Sequence, residues 1–170
     1  MAGDDQWLRL AITLAEENAA AGGLPFGAVI VLDGEPVATG VNRTIQDGDP
    51  TAHAETVAIR AAAARLGSLD LSGTLLAAST EPCPMCQAAA LLTGVERVVF
   101  ATTELQAAER GYDAREALAD LALPHADRRL MQVEHRVIDG ERRPFDRTRG
   151  LDVTPRTERR TSGQRGANAE

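Results

Sequence analysis

The chain has 170 residues, of which 44% are hydrophobic and 25% are charged, a balance that suits one globular domain with a substantial core. Its two cysteines are too few for a disulfide framework, and the acidic start lacks the basic region of a secretory signal peptide. No apolar run approaches the roughly 20 residues that a membrane helix needs. We therefore expect a cytoplasmic protein that does not span a membrane.

Charge is distributed unevenly along the chain. Residues 1–140 contain 10 arginines and 20 acidic residues, whereas residues 141–170 contain 8 arginines and 5 acidic residues. Because an acidic body repels phosphate backbones, and five aromatic residues are few for stacking on bases, nucleic acid is not the expected ligand. Every basic residue is an arginine, which excludes chemistry that needs a lysine. The composition favours a small neutral ligand.

Hydrophobic periodicity and turn residues predict a chain that alternates between helices and strands. In chain order these elements are a helix over 7–21, strands over 26–32 and 37–41, a helix over 51–66, a strand over 74–80, a helix over 84–92, a strand over 95–102, a helix over 115–121 and a strand over 130–138. Asp33-Gly34 is typical of a two-residue hairpin turn, so the first two strands should be antiparallel. The strand, helix and strand over 74–102 should form a parallel pair.

The carboxyl-terminal part of the sequence differs from the rest. From Arg142 onward Arg, Thr, Gly and Asp dominate without apolar periodicity, a pattern typical of segments that do not pack. We expect one domain over residues 1–140 and a mobile, arginine-rich tail over residues 141–170.

Two short motifs carry the chemistry: His53-x-Glu55, and Cys83-x-x-Cys86, which begins 28 residues after Glu55. One imidazole and two thiolates supply three of zinc's four tetrahedral positions and leave the fourth for water, as in catalytic zinc sites. Cys83 precedes a proline, which is favoured at the first helical position, so Cys86 lies on the same helix face and both sulfurs can reach one ion. We predict zinc between two helix N-termini, bound by His53, Cys83 and Cys86.

Glu55 is predicted to be the catalytic residue rather than a ligand. At the first turn of its helix it can reach the same point as His53, and its carboxylate can take a proton from water and deliver it to a substrate. The two helix N-termini contribute partial positive charge, which favours thiolate over thiol.

Other interpretations of these motifs are weaker. The Cys-x-x-Cys motif alone could be a thioredoxin-like redox pair, but the upstream His-x-Glu motif argues against it. A structural zinc site is usually closed by a fourth protein ligand, and the chain has no third cysteine. The remaining histidines are His125, in an expected surface loop, and His135, in the last predicted strand.

Most of residues 4–140 resembles the cytidine-deaminase-like superfamily, in particular the branch of guanine deaminases and tRNA adenosine deaminases. Beyond the two zinc motifs, the segments that carry the resemblance are Pro25-Phe26-Gly27-Ala28-Val29, Asn42, Asp49-Pro50-Thr51-Ala52 and Ser79-Thr80-Glu81. The resemblance implies a three-layer α/β/α sandwich around a five-stranded mixed sheet. It also implies one zinc ion per subunit and a homodimer or higher oligomer.

The resemblance extends to residues that contact the substrate. The stretch A-E-R-G-Y-D, which ends at Asp113, is similar to the guanine deaminase segment that closes over the base. By this resemblance Asn42 hydrogen-bonds the carbonyl edge of the ring and Phe26 packs on its face. The resemblance also implies that Asp113 lies near the amino edge and that Ala54 contacts the substrate. The structural alternatives are a turn residue for Asn42, a core aromatic for Phe26, and a solvated acid or helix cap for Asp113.

The expected function is hydrolytic deamination of guanine to xanthine and ammonia, and three alternatives stay open. Guanine deaminases tend to carry two adjacent acids after the aromatic residue, but here Asp113 is followed by Ala114, so cytosine or an aminotriazine such as ammeline is an alternative substrate. A tRNA adenosine deaminase shares the D-P-T-A-H-A-E segment, although the excess of 10 acidic residues over residues 1–140 argues against it. A catalytically silent interaction subunit would have no need of Glu55.

Overall fold

The computed structural model describes residues 3–147. Its elements in chain order are α1 (Asp5–Ala20), β1 (Gly27–Leu32), β2 (Glu35–Val41), α2 (Thr44–Asp47), α3 (Ala54–Leu66), β3 (Leu75–Thr80), α4 (Pro84–Leu92), β4 (Arg97–Thr102), α5 (Glu104–Ala108), α6 (Arg115–Leu121), a 3-10 turn (His125–Asp127) and α7 (Arg143–Arg147). The chain divides into two units, with the boundary between Asp113 and Ala114. All four strands belong to the first unit.

The four strands form one mixed sheet in the order β2-β1-β3-β4. β1 is antiparallel to both β2 and β3, whereas β3 and β4 are parallel. Asp33 and Gly34 both have positive φ angles, 53° and 79°, as a type I′ hairpin turn requires. The predicted hairpin and the predicted parallel pair are therefore confirmed.

Helices pack on both faces of this sheet. Ala28 and Ile30 of β1 belong to a core cluster with residues of α3, and Val29 and Val31 belong to a second cluster with Ala11 of α1. Because both of its faces are covered, β1 is apolar throughout instead of alternating with polar residues. Alanine-rich α3 also packs against α4. The sheet thus holds the starts of α3 and α4 near each other.

The predicted strand over 130–138 is wrong, and the described residues contain four strands instead of five. The backbone N–H groups that would begin a ladder are bound elsewhere, since those of Arg129 and Leu130 donate to the Asp120 carboxylate. The N–H of Ile138 donates to the side chain of Glu141. The alternating apolar side chains are exposed, so the sequence pattern has no buried face to match.

Three short helices were not predicted. α2 has four residues, and α5 and α7 have five each, lengths over which helical periodicity cannot be recognised. α5 is held by a capping box, in which Thr103 and Gln106 satisfy each other's backbone N–H groups.

The second unit, as far as it is described, comprises residues 114–147 and includes α6 with the bounds predicted for it. The predicted tail over 141–170 begins with the short helix α7, and residues 148–170 lie outside the described part of the chain. The domain boundary at residue 140 stays a prediction. Among residues 3–147, no helix combines the length and the apolar character needed to cross a bilayer.

We expect Gly40→Ala to destabilise the protein. A Cβ atom at this buried position of β2 would overlap the carbonyl oxygen of Ala54 and lie 2.6 Å from the nitrogen of Ala58, both in the backbone of α3. Overpacking of this kind costs about 1–3 kcal/mol. Chemical denaturation should show this loss, whereas Thr39→Ala at the exposed neighbour should change stability little. Equal stability of Gly40→Ala and the parent would contradict the close packing of α3 on β2.

Candidate active site

The three sequence-predicted metal ligands lie at the starts of α3 and α4. His53 precedes the first residue of α3, and Cys83 precedes the first residue of α4, both with extended backbone. Pro84 occupies the first position of α4, as expected for a residue with preset φ and no N–H to satisfy. Cys86 follows within the first turn of the same helix. The structure therefore brings both motifs to one place.

The ligand atoms of these residues form a nearly equilateral triangle. The Nδ1 atom of His53 lies 3.6 Å from Sγ of Cys83 and 3.6 Å from Sγ of Cys86, and the two sulfur atoms are 3.6 Å apart. Zinc bonds of about 2.3 Å to sulfur and about 2.0 Å to nitrogen, at tetrahedral angles, place ligand atoms about 3.5–3.8 Å apart. The triangle fits one zinc ion. No fourth Cys, His, Asp or Glu joins this group within residues 3–147.

The electrostatics of the triangle favour a thiolate at Cys83. A hydrogen bond from the thiol of Cys86, supported by His53, holds the pKa of Cys83 well below its usual value. The same hydrogen bond and burial raise the pKa of Cys86. The pKa of His53 is raised, chiefly by its hydrogen bond to Cys83. The helix starts add partial positive charge that stabilises thiolates.

Glu55 lies beside the triangle in the first turn of α3. Its side chain is 8% exposed, and burial is the main reason that its pKa is raised above the usual value for glutamate. The neighbouring thiol of Cys86 opposes this shift and lowers the pKa of the Glu55 carboxylate. A buried carboxylate with a raised pKa suits a group that must accept and release protons near neutral pH.

The loop before His53 is held by hydrogen bonds to both neighbouring segments. The hydroxyl of Thr56 lies 2.6 Å from the carbonyl oxygen of Thr51 and 2.9 Å from that of His53. The N–H of Arg43 donates to the carbonyl oxygen of Ala52 at 2.9 Å. This last bond places the end of β2 next to the His53 loop.

Asn42 and Phe26 lie at that same end of the sheet. The N–H of Asn42 donates to the carbonyl oxygen of Phe26 at 3.0 Å, and the Asn42 side chain is almost completely buried. Its Oδ1 atom accepts hydrogen bonds from the N–H and the hydroxyl of Thr44. Because a backbone N–H can only donate, these bonds identify the oxygen side of the amide and assign the other side as the NH₂ donor.

Comparison with known proteins identifies the family. Residues 1–102 match the family model described as the cytidine and deoxycytidylate deaminase zinc-binding region. The chain belongs to this deaminase family. It is 42% identical over 127 residues to guanine deaminase of Bacillus subtilis, and this alignment covers 74% of this chain and 81% of that protein. It is 37% identical over 102 residues to a tRNA-specific adenosine deaminase of Aquifex aeolicus, and this alignment covers 60% of this chain and 68% of the relative.

The fold comparison agrees with the sequence comparison. The X-ray structure of guanine deaminase from Bacillus subtilis superposes with a TM-score of 0.80 and 38% identity, covering 85% of this chain and 92% of that chain. The protein is therefore a hydrolytic deaminase with a zinc-binding domain, and zinc is its cofactor. His53, Cys83 and Cys86 are the group that fits the ion.

The other sequence-predicted residues of this deaminase do not belong to the metal-binding group. Ala54 is buried in the core cluster, so a substrate could meet only its backbone at the start of α3. Asp113 is exposed at the end of the first unit. His125 and His135 are exposed and do not belong to the metal-binding group.

Tyr112 belongs to the stretch expected to close over the base, but it was not predicted as a substrate contact. Its ring meets the ring of Phe26 edge to face, with centroids 5.2 Å apart and planes at 82°. This contact brings the segment that resembles the base-closing stretch of guanine deaminases to Phe26. The position of this tyrosine within the A-E-R-G-Y-D stretch was the available signal.

Removal of a single thiolate should release the metal from this deaminase. We expect Cys83→Ser to weaken zinc binding by more than about 100-fold, since changes to groups that only support ligands already cost about 10- to 100-fold. Met85→Ala, at the exposed position between the two cysteines, should bind one zinc per chain. Zinc content after dialysis measures both variants, and stoichiometric zinc in Cys83→Ser would refute the assignment.

Proposed function

We propose that this deaminase converts guanine and water to xanthine and ammonia. The observation that carries the proposal is the triangle of His53, Cys83 and Cys86 with the buried carboxylate of Glu55 beside it. The similarity to guanine deaminase over most of the chain supports guanine as the substrate.

Each residue of the site takes a distinct role in this proposal. His53, Cys83 and Cys86 hold zinc, which when bound supplies a Lewis acid that makes water more acidic at neutral pH. Glu55 accepts the proton of the attacking water and delivers it to the ring nitrogen beside the reacting carbon. It then takes the remaining proton from the hydroxyl group added to that carbon and passes it to the departing amine. The carbon–nitrogen bond breaks as the new carbonyl forms, so one ammonia leaves for each water consumed. Its burial keeps bulk solvent away from these transfers.

The substrate contacts are proposed from the geometry at the end of the sheet. Asn42 presents its NH₂ group because its oxygen is held by Thr44, and an NH₂ group donates to the carbonyl oxygen of a ring. Phe26 packs against the ring, with Tyr112 at its edge. Asp113 follows Tyr112 and is proposed to meet the amino edge.

The tRNA adenosine deaminases are the second candidate, because one of them is 37% identical over 102 residues. Their substrate is a polyanion, and the acidic excess over residues 1–140 opposes its binding. Guanine deaminase matches a longer part of the chain, 127 residues. We therefore favour a free base.

We propose that the first unit is a three-layer α/β/α arrangement and that the chain forms a homodimer. The layers are supported by the packing of α1 on one face of the sheet and α3 on the other.

The dimer is supported by an apolar cleft between α4 and β4, about 500 Å³ in volume, whose lining includes Leu91, Val98 and Phe100. These three side chains are 40–57% exposed, and a second copy would bury them.

We expect zinc-loaded protein to release ammonia from guanine and to form xanthine. Glu55→Gln should keep its zinc and lose at least about 10³-fold in kcat, since positioned proton transfer contributes about 10²–10⁴-fold and Glu55 serves more than one transfer. Coupled ammonia assays, xanthine chromatography and zinc analysis measure these outcomes. Glu16→Gln, at an exposed position of α1, is the matched control.

Turnover of cytosine or ammeline instead of guanine would contradict the proposed substrate but would support hydrolytic deamination as the reaction. Turnover of tRNA alone, with a steep dependence on salt, would favour the second candidate. Substantial activity in Glu55→Gln would remove Glu55 from its proposed role.

The proposed dimer predicts a solution mass twice the 18.0 kDa of one chain. Leu91→Glu should shift the protein to the monomer, because it places a charge in the apolar cleft. Leu69→Glu, at an 82% exposed leucine elsewhere, should leave the mass unchanged. Light scattering coupled to size exclusion distinguishes these outcomes, and a monomeric parent protein would refute the dimer.

A further inference from the structure

A closed ring of hydrogen bonds joins Phe26 to Asn42 through a side chain of α1. The Nδ2 group of Asn18 donates to the carbonyl oxygen of Leu24 at 2.7 Å and to that of Asn42 at 2.8 Å. The N–H of Phe26 donates to the same Leu24 oxygen at 2.8 Å, and the N–H of Asn42 donates to the Phe26 oxygen at 3.0 Å. Asn18 is the one member that contributes through its side chain.

The orientation of the Asn18 amide is determined by its hydrogen-bond partners. Its side chain is 8% exposed, and both of its hydrogens are used by carbonyl oxygens, which can only accept. The amide nitrogen of Gln46 lies 3.5 Å from its Oδ1 atom. The neighbouring loop is packed against it, since a Cβ atom at Gly23 would lie 2.5 Å from the Asn18 nitrogen.

We infer that Asn18 is a positioning residue for substrate binding. This inference rests on the proposed function, in which Phe26 and Asn42 contact the ring. Asn18 holds the backbone of Asn42 at its carbonyl oxygen, and Thr44 holds the Asn42 side chain at its oxygen. The NH₂ group of Asn42 is thereby fixed as a donor relative to the face of Phe26.

The ring is separate in composition from the metal site. It contains none of the zinc-binding residues and does not include Glu55. Loss of the Asn18 amide should therefore weaken substrate binding while zinc binding and proton transfer persist. A role in stability alone would instead lower the amount of folded, zinc-loaded enzyme and leave KM unchanged.

The test uses full-length, zinc-loaded Asn18→Leu and Asn18→Asp with guanine as the substrate. Both changes remove two buried donors at nearly constant side-chain size, and we expect KM to rise at least about tenfold with kcat within about threefold of the parent. Zinc should stay at one per chain. Glu17→Gln, at the exposed neighbouring position of α1, should change neither constant.

Amide hydrogen exchange gives a second readout that does not depend on turnover. In the Asn18 variants the N–H groups of Phe26 and Asn42 should exchange at least about tenfold faster, whereas those of α4 should keep their protection. If both variants fail to fold, Gly23→Ala perturbs the same contact by crowding the Asn18 amide, and the same two changes are expected.

An unchanged KM in a folded, zinc-loaded variant would overturn the positioning role, even with faster exchange. Unchanged exchange at Phe26 and Asn42 would show that the ring does not need Asn18, and would overturn it as well. Failure of the parent protein to deaminate guanine would instead refute the proposed function, and the parent assay reports that outcome separately.

Discussion

The site depends on the meeting of two helix N-termini, which brings an imidazole and two sulfur atoms to 3.6 Å from one another. His53 and Cys83 both precede the first residue of a helix, and Cys86 lies in the first turn of the second of these helices. The positive ends of two helices stabilise negative charge at this place, which is where thiolates and a developing anion need it. This arrangement has the donor set and the open fourth position of a catalytic zinc site with three protein ligands.

The rest of the fold holds those helix starts in position. β2 and α3 approach so closely that only glycine fits at Gly40, beside Ala54 at the first turn of α3. The alanine-rich sequence of α3 permits this approach, because larger side chains would separate the helix from the sheet. The ring through Asn18 acts at the end of β2, where it ties Asn42 to Phe26. Metal binding and substrate binding thus depend on different contacts of one sheet.

Much of the first unit could be predicted because its elements are punctuated by residues with strong local preferences. The proline after Cys83 and the glycine after the helix gave α4 its predicted bounds, and the H-x-E and C-x-x-C spacings predicted the metal cluster. The strand over 130–138 failed because alternation of apolar residues does not reveal whether a partner strand exists; the N–H groups there donate to side chains such as Asp120. The contact of Tyr112 with Phe26 and the ring through Asn18 were not predictable, because each joins segments that are far apart in the sequence. The Asn18 side chain also bonds to backbone carbonyl oxygens, which every residue carries, so its partners have no sequence signature.

X-ray absorption at the zinc edge of the zinc-loaded protein tests the coordination by His53, Cys83 and Cys86 most directly. Zinc bound by these residues should have two sulfur neighbours at about 2.3 Å and light-atom neighbours at about 2.0–2.2 Å, with the same sulfur count in Glu55→Gln. A spectrum with no sulfur, or one that loses a neighbour when Glu55 is replaced, would contradict this coordination, because the metal would then lie away from the cysteines or be bound by Glu55 itself.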